Sequence, residues 1–588
     1  MKEEAVVKKL DVEVLKRLLS FARPYRLHVL AASAALLLAT GAELLMPVIM
    51  QKAIDTDILT SSPDVAALKL KGLLYFFLLF GGLIFSFLQV YLMAYTGQGV
   101  MKDIRMDLYN HTVRQSLRYL SQTPVGSLVS RITNDVETLN EFFTSVAASV
   151  LKDVSLIAGV LLTVFFLNPH LALITVLTVP PVFVAARIFR LKARDAYRNV
   201  RSSVGSVNAF LSEHIAGMSI VQMFTRETAS AELFKGYNGR LLRANLSELY
   251  IFAFFRPLMN LFTSVTVGIV IYFGGKSVLH HTLSLGVLIA FISLIQKFYR
   301  PILDFAEKFT ILQSAMAGGE RIFSLLDEND TLEDSGRDTI TGEAAGKLEF
   351  RDVSFSYRQG EPVLRHLSFT VFPGETAAIA GYTGAGKTTI ANVLTRMWDI
   401  DSGEILMDGK NIRSLPLKTL REAIMPVQQD VFLFSGTIRE NIDMGSGLSD
   451  SAIEHAARLA QAHSFIEKLP GGYRFVLKER GANISTGQRQ LVSFARALAG
   501  NPRIIILDEA TGSIDTETEK RIQKATETLM ENRTSLVIAH RLSTIRHADK
   551  ILVLSSGILV EEGTHEELLA LKGFYYNLYK LQYEETGT

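Results

Sequence analysis

Hydrophobic and polar positions follow different patterns in the two halves of the chain. The first half contains six apolar segments close to the roughly 20 residues that a helix needs to cross a bilayer. They are Val29–Met50, Gly72–Tyr95, Val146–Leu167, Leu171–Ile188, Ile251–Phe273 and Val278–Ile302. The second half alternates short apolar runs with Gly-rich turns and amphipathic segments, which is typical of a soluble α/β domain.

The predicted fold class is a membrane all-α domain, with six transmembrane helices and long cytoplasmic extensions, fused to a soluble α/β domain. We place the membrane domain at 1–326 and the soluble domain at 347–588. The linker 327–346 is rich in acidic residues, Gly and Thr, which is typical of an exposed domain boundary.

Two stretches of the membrane domain are less regular. His280, His281, Lys297 and Arg300 interrupt the sixth apolar segment. Before the first span, Val14–Phe21 repeats apolar residues at helical spacing, which predicts an amphipathic helix lying in the membrane interface. This mixed segment also argues against a cleavable signal peptide.

The placement of Lys and Arg predicts the orientation of the spans. The N-terminal residues before the first span are basic and should be cytoplasmic, whereas Asn168–His170 has no Lys or Arg and should lie outside. The connections 96–145 and 189–250 are rich in Arg and Lys and should extend into the cytoplasm. We therefore expect a multi-pass protein of the inner (plasma) membrane, with a cytoplasmic N-terminus and soluble domain.

Both cytoplasmic connections are compatible with helices that continue beyond the bilayer. Gln122–Gly126 should turn one helical hairpin and Gly217–Ser219 the other. Each could be an ordinary surface turn, or it could be the tip of an arm that touches the soluble domain.

Composition supports a membrane protein. The 588 residues are 48% hydrophobic and 20% charged, which is too apolar for a soluble enzyme. A net charge of +2 gives no indication of nucleic-acid binding, and the absence of cysteine excludes disulfides and thiol chemistry.

The soluble domain contains a phosphate-binding loop, Gly381–Thr388, that fits GxxxxGK[ST] without mismatch. The apolar run Ala377–Ala380 before it predicts a strand, and the segment from Thr389 onward predicts a helix. Backbone N–H groups of the loop should point at phosphate oxygens. Lys387 should reach the β- and γ-phosphates, and the Thr388 hydroxyl should bind Mg²⁺. The predicted nucleotide contacts of this segment are Gly381, Thr383, Gly384, Ala385, Gly386, Lys387, Thr388 and Thr389.

A second motif completes the chemistry. The apolar strand Ile504–Leu507 ends in Asp508 and Glu509. Such a strand places Asp508 beside Mg²⁺ and Glu509 near the γ-phosphate, where it can polarise water. Alone, this pattern could be a surface strand end. Together with the phosphate loop, it indicates ATP hydrolysis.

With these motifs, the chain resembles ATP-binding cassette transporters, and specifically half-size bacterial exporters, from about Leu10 to Tyr583. Tyr357 resembles the aromatic residue that stacks on adenine. Gln429 resembles the glutamine that links the Mg²⁺ and water site to the membrane domain. His540 resembles the switch histidine at the γ-phosphate. The resemblance thus implies that Glu509, His540 and Gln429 are catalytic, and that Thr388, Gln429 and Asp508 hold the metal.

The family signature segment is matched by Ile484–Gln488 at four of five sites, if Ile stands for Leu. The resemblance implies that Ser485, Gly487 and Gln488 bind the nucleotide of a partner subunit. It also implies that Glu479 contacts the cytoplasmic arms and that Gly512–Asp515 crosses a dimer interface. Two residues depart from the family: Thr486 replaces a glycine, and Gly512 replaces a residue that is often Ser.

The implied function is ATP-driven export of hydrophobic or amphipathic compounds by alternating access, within a dimer of half-transporters that binds ATP and Mg²⁺. The altered Thr486 beside an intact own site favours a heterodimer over a homodimer. The alternatives are an ATP-gated channel, a regulatory subunit or a homodimeric lipid flippase. Glu43, Asp153 and Arg256 are ionisable residues at or near membrane depth, and Glu43 is the leading candidate for substrate contact, although it could be structural.

Overall fold

We analysed a computed structural model of the chain. It describes residues 12–59, 63–332, 334, 336–338, 345–358, 360–508, 516–538 and 545–586. The chain divides into two compact units, which are described separately. The membrane unit combines Met1–Val113 with Val125–Glu328, and the ATPase unit combines Arg114–Pro124 with Asn329–Thr588.

The described part of the membrane unit is built of helices joined by short turns. Its helices are α1 (Val12–Ser20), α2 (Arg26–Ala53), α3 (Val65–Arg114), α5 (Val125–Ser130), α6 (Val136–Glu141), α7 (Ala147–Leu167), α8 (Pro169–Leu177), α9 (Val179–Ala216), α10 (Met218–Met223), α11 (Glu227–Leu279) and α12 (Leu285–Leu326). The helix α4 (Leu117–Gln122) lies between α3 and α5 and belongs to the ATPase unit. Three π-helical turns, Ile54–Ile58, Arg131–Asp135 and Phe142–Val146, continue α2 and join α5, α6 and α7.

Among the residues that the structure describes, five helical stretches are long and apolar enough to cross a membrane. They are Arg23–Ile58, Val65–Arg114, Val125–Leu167, Pro169–Ala216 and Glu227–Leu279. The sixth predicted span corresponds to α12, whose apolar part Leu285–Tyr299 is shorter. A helical membrane domain is therefore confirmed, and the number of six spans stays a prediction.

The predicted start of the sixth span at Val278 is wrong. The helix α11 continues to Leu279, and His281 then adopts a left-handed conformation with φ of 55°. Ser284 begins the next helix by accepting a hydrogen bond from the Val287 N–H. This side-chain cap satisfies one of the N–H groups that a new helix leaves free. Apolar composition on both sides of the turn hid the boundary.

The two predicted arm turns are broader than expected. The first reversal already begins at Gln115–Ser116, where Ser116 caps α4, and ends at Thr123–Pro124. The second contains the short helix α10, so it extends from Gly217 to Arg226. Helices shorter than two turns give no clear periodicity in the sequence, which explains the difference.

Ion pairs tie distant helices of the membrane unit together. Arg321 on α12 donates to both carboxylate oxygens of Asp135, at 2.8 and 2.5 Å. Lys308, also on α12, pairs with Asp153 on α7. Thr178, between α8 and α9, meets Thr266 of α11 and Tyr299 of α12 in a cluster of hydroxyls. These contacts give partners to polar groups that are buried between the helices, among them Asp135, Thr266 and Tyr299.

The amphipathic helix α1 packs against the end of α12. Val14 and Leu18 are buried and lie over Gly319. The Arg17 guanidinium stacks 4.2 Å from the centre of the Phe323 ring and donates to both oxygens of Asp327. The apolar face of α1 is therefore used for packing inside the chain, while Leu19 is exposed. Its location in the membrane interface stays a prediction.

The described part of the ATPase unit contains three sheets. Their strands are β1 (Leu348–Arg358), β2 (Glu361–Val371), β3 (Thr376–Ala380), β4 (Ser402–Met407), β5 (Lys410–Asn411), β6 (Ile424–Val427), β7 (Gly436–Thr437), β8 (Val476–Leu477), β9 (Ile504–Asp508), β10 (Thr534–Ile538), β11 (Lys550–Ser555) and β12 (Ile558–Gly563). The four-stranded sheet has the order β2-β1-β4-β5, the six-stranded sheet β12-β11-β3-β10-β9-β6, and β7 pairs with β8.

Helices accompany these strands along the rest of the unit. They are α13 (Lys387–Leu394), α14 (Leu417–Ala423), α15 (Ile438–Asp443), α16 (Asp450–Leu459), α17 (His463–Ile466), α18 (Thr486–Ala499), α19 (Thr516–Met530), α20 (His565–Leu571) and α21 (Phe574–Thr586). The soluble α/β prediction is confirmed.

The inner strands β3, β9, β10 and β11 of the six-stranded sheet are buried on both faces. Along β9, Ile505 and Leu507 belong to one apolar cluster, whereas Ile504 and Ile506 belong to the other. Two buried faces explain why such a strand is a continuous apolar run in the sequence. The strands β3, β10 and β9 are adjacent and parallel, so the segments that follow them emerge at the same edge, where ligands of open α/β sheets bind.

Candidate functional site: a phosphate cradle at the sheet edge

The phosphate loop follows β3 and ends where α13 begins. Gly381 and Gly386 have positive φ angles of 153° and 98°. A Cβ on Gly381 would collide with the carbonyl oxygen of Leu554, and one on Gly386 would lie 2.9 Å from Leu364. Glycine is therefore required at both positions. The resulting turn presents the start of α13, with its free N–H groups and positive dipole end, toward the loop.

Lys387 lies inside this loop. Its ammonium donates to the carbonyl oxygens of Gly381 and Tyr382, at 2.7 and 3.0 Å. The residue is buried, and this burial lowers the pKa of Lys387, while the nearby Asp508 carboxylate opposes the change. A phosphate group beside Lys387 would favour the charged form. The cation is thus pre-positioned at the place where the motif predicts the β- and γ-phosphates.

Thr388 and Asp508 come together from two separate motifs. The Thr388 hydroxyl donates to the Asp508 carboxylate at 3.4 Å. Gln429 lies two residues beyond β6, whose last residue, Val427, pairs with Leu507, and it is exposed. A hydroxyl, a carboxylate and an amide oxygen are hard oxygen ligands of the kind that Mg²⁺ accepts together with water and phosphate. The donor set fits the predicted metal.

Tyr357 lies at the side of α13, beside a cleft of about 400 Å³ lined also by Gly360, Trp398 and Asp401. Its ring is perpendicular to those of Phe355 and Trp398, at centroid distances of 4.8 and 4.9 Å. A cleft of this size lies within the range of small-molecule sites. The position is suitable for stacking a base next to the phosphate loop.

Sequence reasoning missed two neighbours of Tyr357. Trp398 packs on its ring, and Asn392 donates a hydrogen bond to its hydroxyl at 3.0 Å. The sequence did single out Trp398, because it is the only tryptophan among the 588 residues. Asn392 lies in an ordinary helical segment, and its role follows only from the fold.

The signature segment forms the start of α18. Ser485 is the N-cap: its hydroxyl accepts from the Gln488 N–H at 3.2 Å, and the Gln488 side chain accepts from the Ser485 N–H at 3.0 Å. This capping box satisfies two free donors of the helix. Gly487 is buried in the first turn.

Thr486 is the first helical residue of α18, so its backbone does not need glycine. Its hydroxyl accepts a hydrogen bond from Arg489 at 3.0 Å. The substitution that departs from the family is therefore accommodated without backbone strain, and it places a hydroxyl at the N-terminal end of the helix.

Several predicted residues lie outside the described part of the chain: Glu509, His540 and the loop Gly512–Asp515. Their neighbours are described. Asp508 pairs with Ile538 across β9 and β10, so Glu509 and His540 follow two paired strand ends. Glu479 is exposed in a short 3₁₀ helix, Glu479–Gly481. The roles of all these residues stay predictions.

Two of the three ionisable candidates in the membrane unit, Glu43 and Asp153, have internal partners. The Lys297 ammonium donates to the carbonyl oxygen of Glu43 at 2.7 Å and lies 3.9 Å from its carboxylate. Asp153 pairs with Lys308. Arg256, just before Pro257 in α11, is exposed. Glu43 also lines a cleft of about 150 Å³ with Thr40, and substrate contact there stays a prediction.

Comparisons with known proteins cover both units. The family model of the ABC transporter transmembrane region matches residues 29–302, and the ABC transporter family model matches residues 364–512. An uncharacterized ABC transporter ATP-binding protein of Bacillus subtilis, YknV, is 37% identical over 587 residues, which is 99% of this chain and 96% of its own length.

Two further relatives have more specific names. The ATP-dependent lipid A-core flippase of Syntrophus aciditrophicus is 36% identical over 575 residues, covering 98% of this chain and 95% of its own. A probable multidrug resistance ABC transporter ATP-binding/permease protein of Bacillus subtilis, YheH, is 38% identical over 528 residues, which is 87% of this chain and 77% of its own length.

Proposed function

The chain belongs to the ATP-binding cassette (ABC) transporter family, and on that premise we propose that it exports hydrophobic or amphipathic compounds as one half of a dimer. It is a multi-pass membrane protein of the exporter type, with an ATPase domain that couples hydrolysis to transport. The names of the relatives, a lipid A-core flippase and a multidrug resistance transporter, support lipids or drugs as the substrate class.

The observation that carries the proposal is the contact between Thr388 and Asp508 beside the buried Lys387. Two motifs 120 residues apart meet at one sheet edge, in a chain whose described part also contains five helices long enough to span a membrane. A nucleotide site and a transmembrane domain on one polypeptide support transport driven by ATP.

The residues of this site have separate tasks in the proposed reaction. Lys387 and the loop N–H groups of Gly381–Gly386 bind the phosphates, and Tyr357 supports the adenine. Thr388, Asp508 and Gln429 hold Mg²⁺, which supplies charge neutralisation at the transferred phosphate. Glu509 accepts a proton from the attacking water, and His540 contacts the γ-phosphate. Ser485, Gly487 and Gln488 complete the site of the other subunit.

We also propose that the other subunit is a different half-transporter. The residues that serve this chain's own site keep the family's identities, whereas Thr486 serves the opposite site and adds a hydroxyl, bonded to Arg489, at the helix N-terminus. An altered signature segment beside an unaltered nucleotide site is expected in a dimer whose two ATP sites differ. The partner would then complete the ATP site that contains Lys387 and Glu509, and this site would be the one with fast ATP hydrolysis.

Transport in sealed vesicles tests the function. We expect ATP-dependent accumulation of a lipophilic dye or of a headgroup-labelled phospholipid in inside-out vesicles, with loss of accumulation in Glu509→Gln. Passive ion current without ATP turnover would instead support the alternative of an ATP-gated channel.

Subunit composition is tested by expression of this chain with and without the partner that co-purifies from its host. The heterodimer predicts low turnover for the chain alone, and a changed partner site in Thr486→Gly. Strong drug-stimulated turnover by the chain alone, with two equivalent sites in nucleotide trapping, would establish a homodimer.

A further inference from the structure

The hydroxyl of Tyr357 is held by two side chains of one helix. Asn392 donates to it at 3.0 Å, and it donates in turn to the Thr389 hydroxyl at 3.2 Å. Both partners are on α13, three residues apart, and therefore on the same face of that helix. A tyrosine hydroxyl has one proton to give and can accept another, so this arrangement uses both of its capacities.

The hydrogen bonds restrict the orientation of the ring. Phe355 and Trp398 contact the ring at right angles, and the two polar contacts hold its outer end. Tyr357 is only partly buried, so without those contacts the ring would have to be ordered when a base binds. Ordering a side chain before binding lowers the free-energy cost of association.

The helix α13 also begins the phosphate site, because Lys387 and Thr388 are its first residues. Tyr357 on β1, the proposed contact of the base, is therefore hydrogen-bonded to the helix that holds the phosphates. These hydrogen bonds help to set the distance and angle between the base site and the phosphate site. The phosphate-loop motif alone does not predict them.

We propose that Asn392 is a positioning residue for the base of ATP, and that it acts through the hydroxyl of Tyr357. This inference rests on the proposed ATP site, in which Tyr357 stacks on the adenine. It predicts that Asn392 affects the affinity for a ligand that carries a base, and has little effect on the affinity for the phosphates alone.

The test compares ATP with inorganic tripolyphosphate, which has the phosphates and no base. In the dimer, Asn392→Leu should weaken ATP binding by about 2- to 10-fold, the loss expected for one hydrogen bond. Tyr357→Phe also removes the hydrogen bond to Thr389 and should weaken ATP binding at least as much. Binding of tripolyphosphate, measured by competition, should stay within 2-fold of wild type. The double variant should bind ATP no more weakly than Tyr357→Phe, because Tyr357→Phe already removes the contact that Asn392→Leu removes.

Kinetics and fluorescence add independent readouts. Asn392→Leu should raise the KM for ATP and leave kcat at saturating ATP nearly unchanged, as expected for lost binding. The ring centres of Trp398 and Tyr357 are 4.9 Å apart, and Trp398 is the single tryptophan of the chain. Its emission, isolated by subtracting Trp398→Phe, should change with ATP but not with tripolyphosphate, and the change should be smaller in Asn392→Leu.

A matched control is Gln523→Leu, which removes an amide from an exposed position of α19 and should leave all these values at wild type. The proposal is overturned if Asn392→Leu weakens tripolyphosphate as much as ATP, if its effect adds to that of Tyr357→Phe, or if it changes nothing while Tyr357→Ala weakens ATP binding. Failure of wild type to bind ATP at all would overturn the proposed function as well.

Discussion

Lys387 of the ATPase unit and two cations of the membrane unit, Lys297 and Arg321, are held in place by opposite means. In the ATPase unit, Lys387 contacts carbonyls only five and six residues earlier in the chain. In the membrane unit, Lys297 reaches Glu43 across 254 residues, and Arg321 reaches Asp135 across 186. A local turn therefore positions Lys387, whereas the packing of helices that are distant in sequence positions Lys297 and Arg321.

The two kinds of charge also differ in what they stabilise. Lys387 is buried on neutral carbonyls, and desolvation lowers its pKa, so its charge costs free energy until an anion arrives. Arg321 already has its carboxylate. We infer that the charge of Lys387 is prepared for a ligand, whereas the charge of Arg321 stabilises the fold of the membrane unit. Substitutions should then affect function in the first case and stability in the second.

The largest effect is expected for Glu509→Gln. The amide cannot accept a proton from water, so ATP turnover should fall by roughly 10²- to 10⁴-fold, the range for general acid–base catalysis. ATP binding and thermal stability should be retained. Turnover measured in nanodiscs at near the wild-type rate would show that another group activates the water.

Lys387→Met sharpens the comparison directly. Loss of a charge-assisted contact should weaken ATP binding by about 1.5–3 kcal/mol. The melting temperature of the ATP-free protein should not fall, because the substitution removes a buried cation and keeps the apolar stem. Labelled ATP and thermal unfolding measure the two quantities. A clear drop in stability would mean that Lys387 is a structural residue of the loop.

Arg321→Met should give the opposite result. It leaves the mostly buried Asp135 without its main partner, and the expected loss of stability is about 1–2 kcal/mol, because the guanidinium itself is half exposed. Affinity for ATP should not change. Arg198→Met, at an exposed position of α9, is the matched control. If Arg321→Met weakened ATP binding without loss of stability, the distinction between the two units would fail.

The smallest effect is expected for Arg17→Gln. Its partner Asp327 and its own side chain are both more than 40% exposed, so the ion pair should contribute less than about 1 kcal/mol. Thermal unfolding at low and high salt can measure this contribution. A larger loss, insensitive to salt, would show that the stacking of Arg17 on Phe323 dominates.

Prediction from sequence succeeded where the information is local. The order of strand, loop and helix around Gly381–Thr388, the strand that ends in Asp508, and the two domain types follow from the sequence, and the structure brings Thr388 and Asp508 together. Phosphate binding by the loop stays a prediction. Prediction failed at the start of the sixth span, because a serine cap at Ser284 decides that boundary within an apolar stretch. It also missed Asn392, because only tertiary packing brings α13 to Tyr357.

The contact of Arg17 with Asp327 also sets an order of events during synthesis. The two residues are 310 positions apart, and ribosomes add about 5–20 residues per second. Helix α1 must therefore wait on the order of 15 to 60 s after its own translation before its partner exists. During that interval its apolar face, Val14 and Leu18, has no place on α12. An amphipathic helix can bury its apolar face in a membrane surface. We therefore expect α1 to bind lipid first and to pack against α12 afterwards.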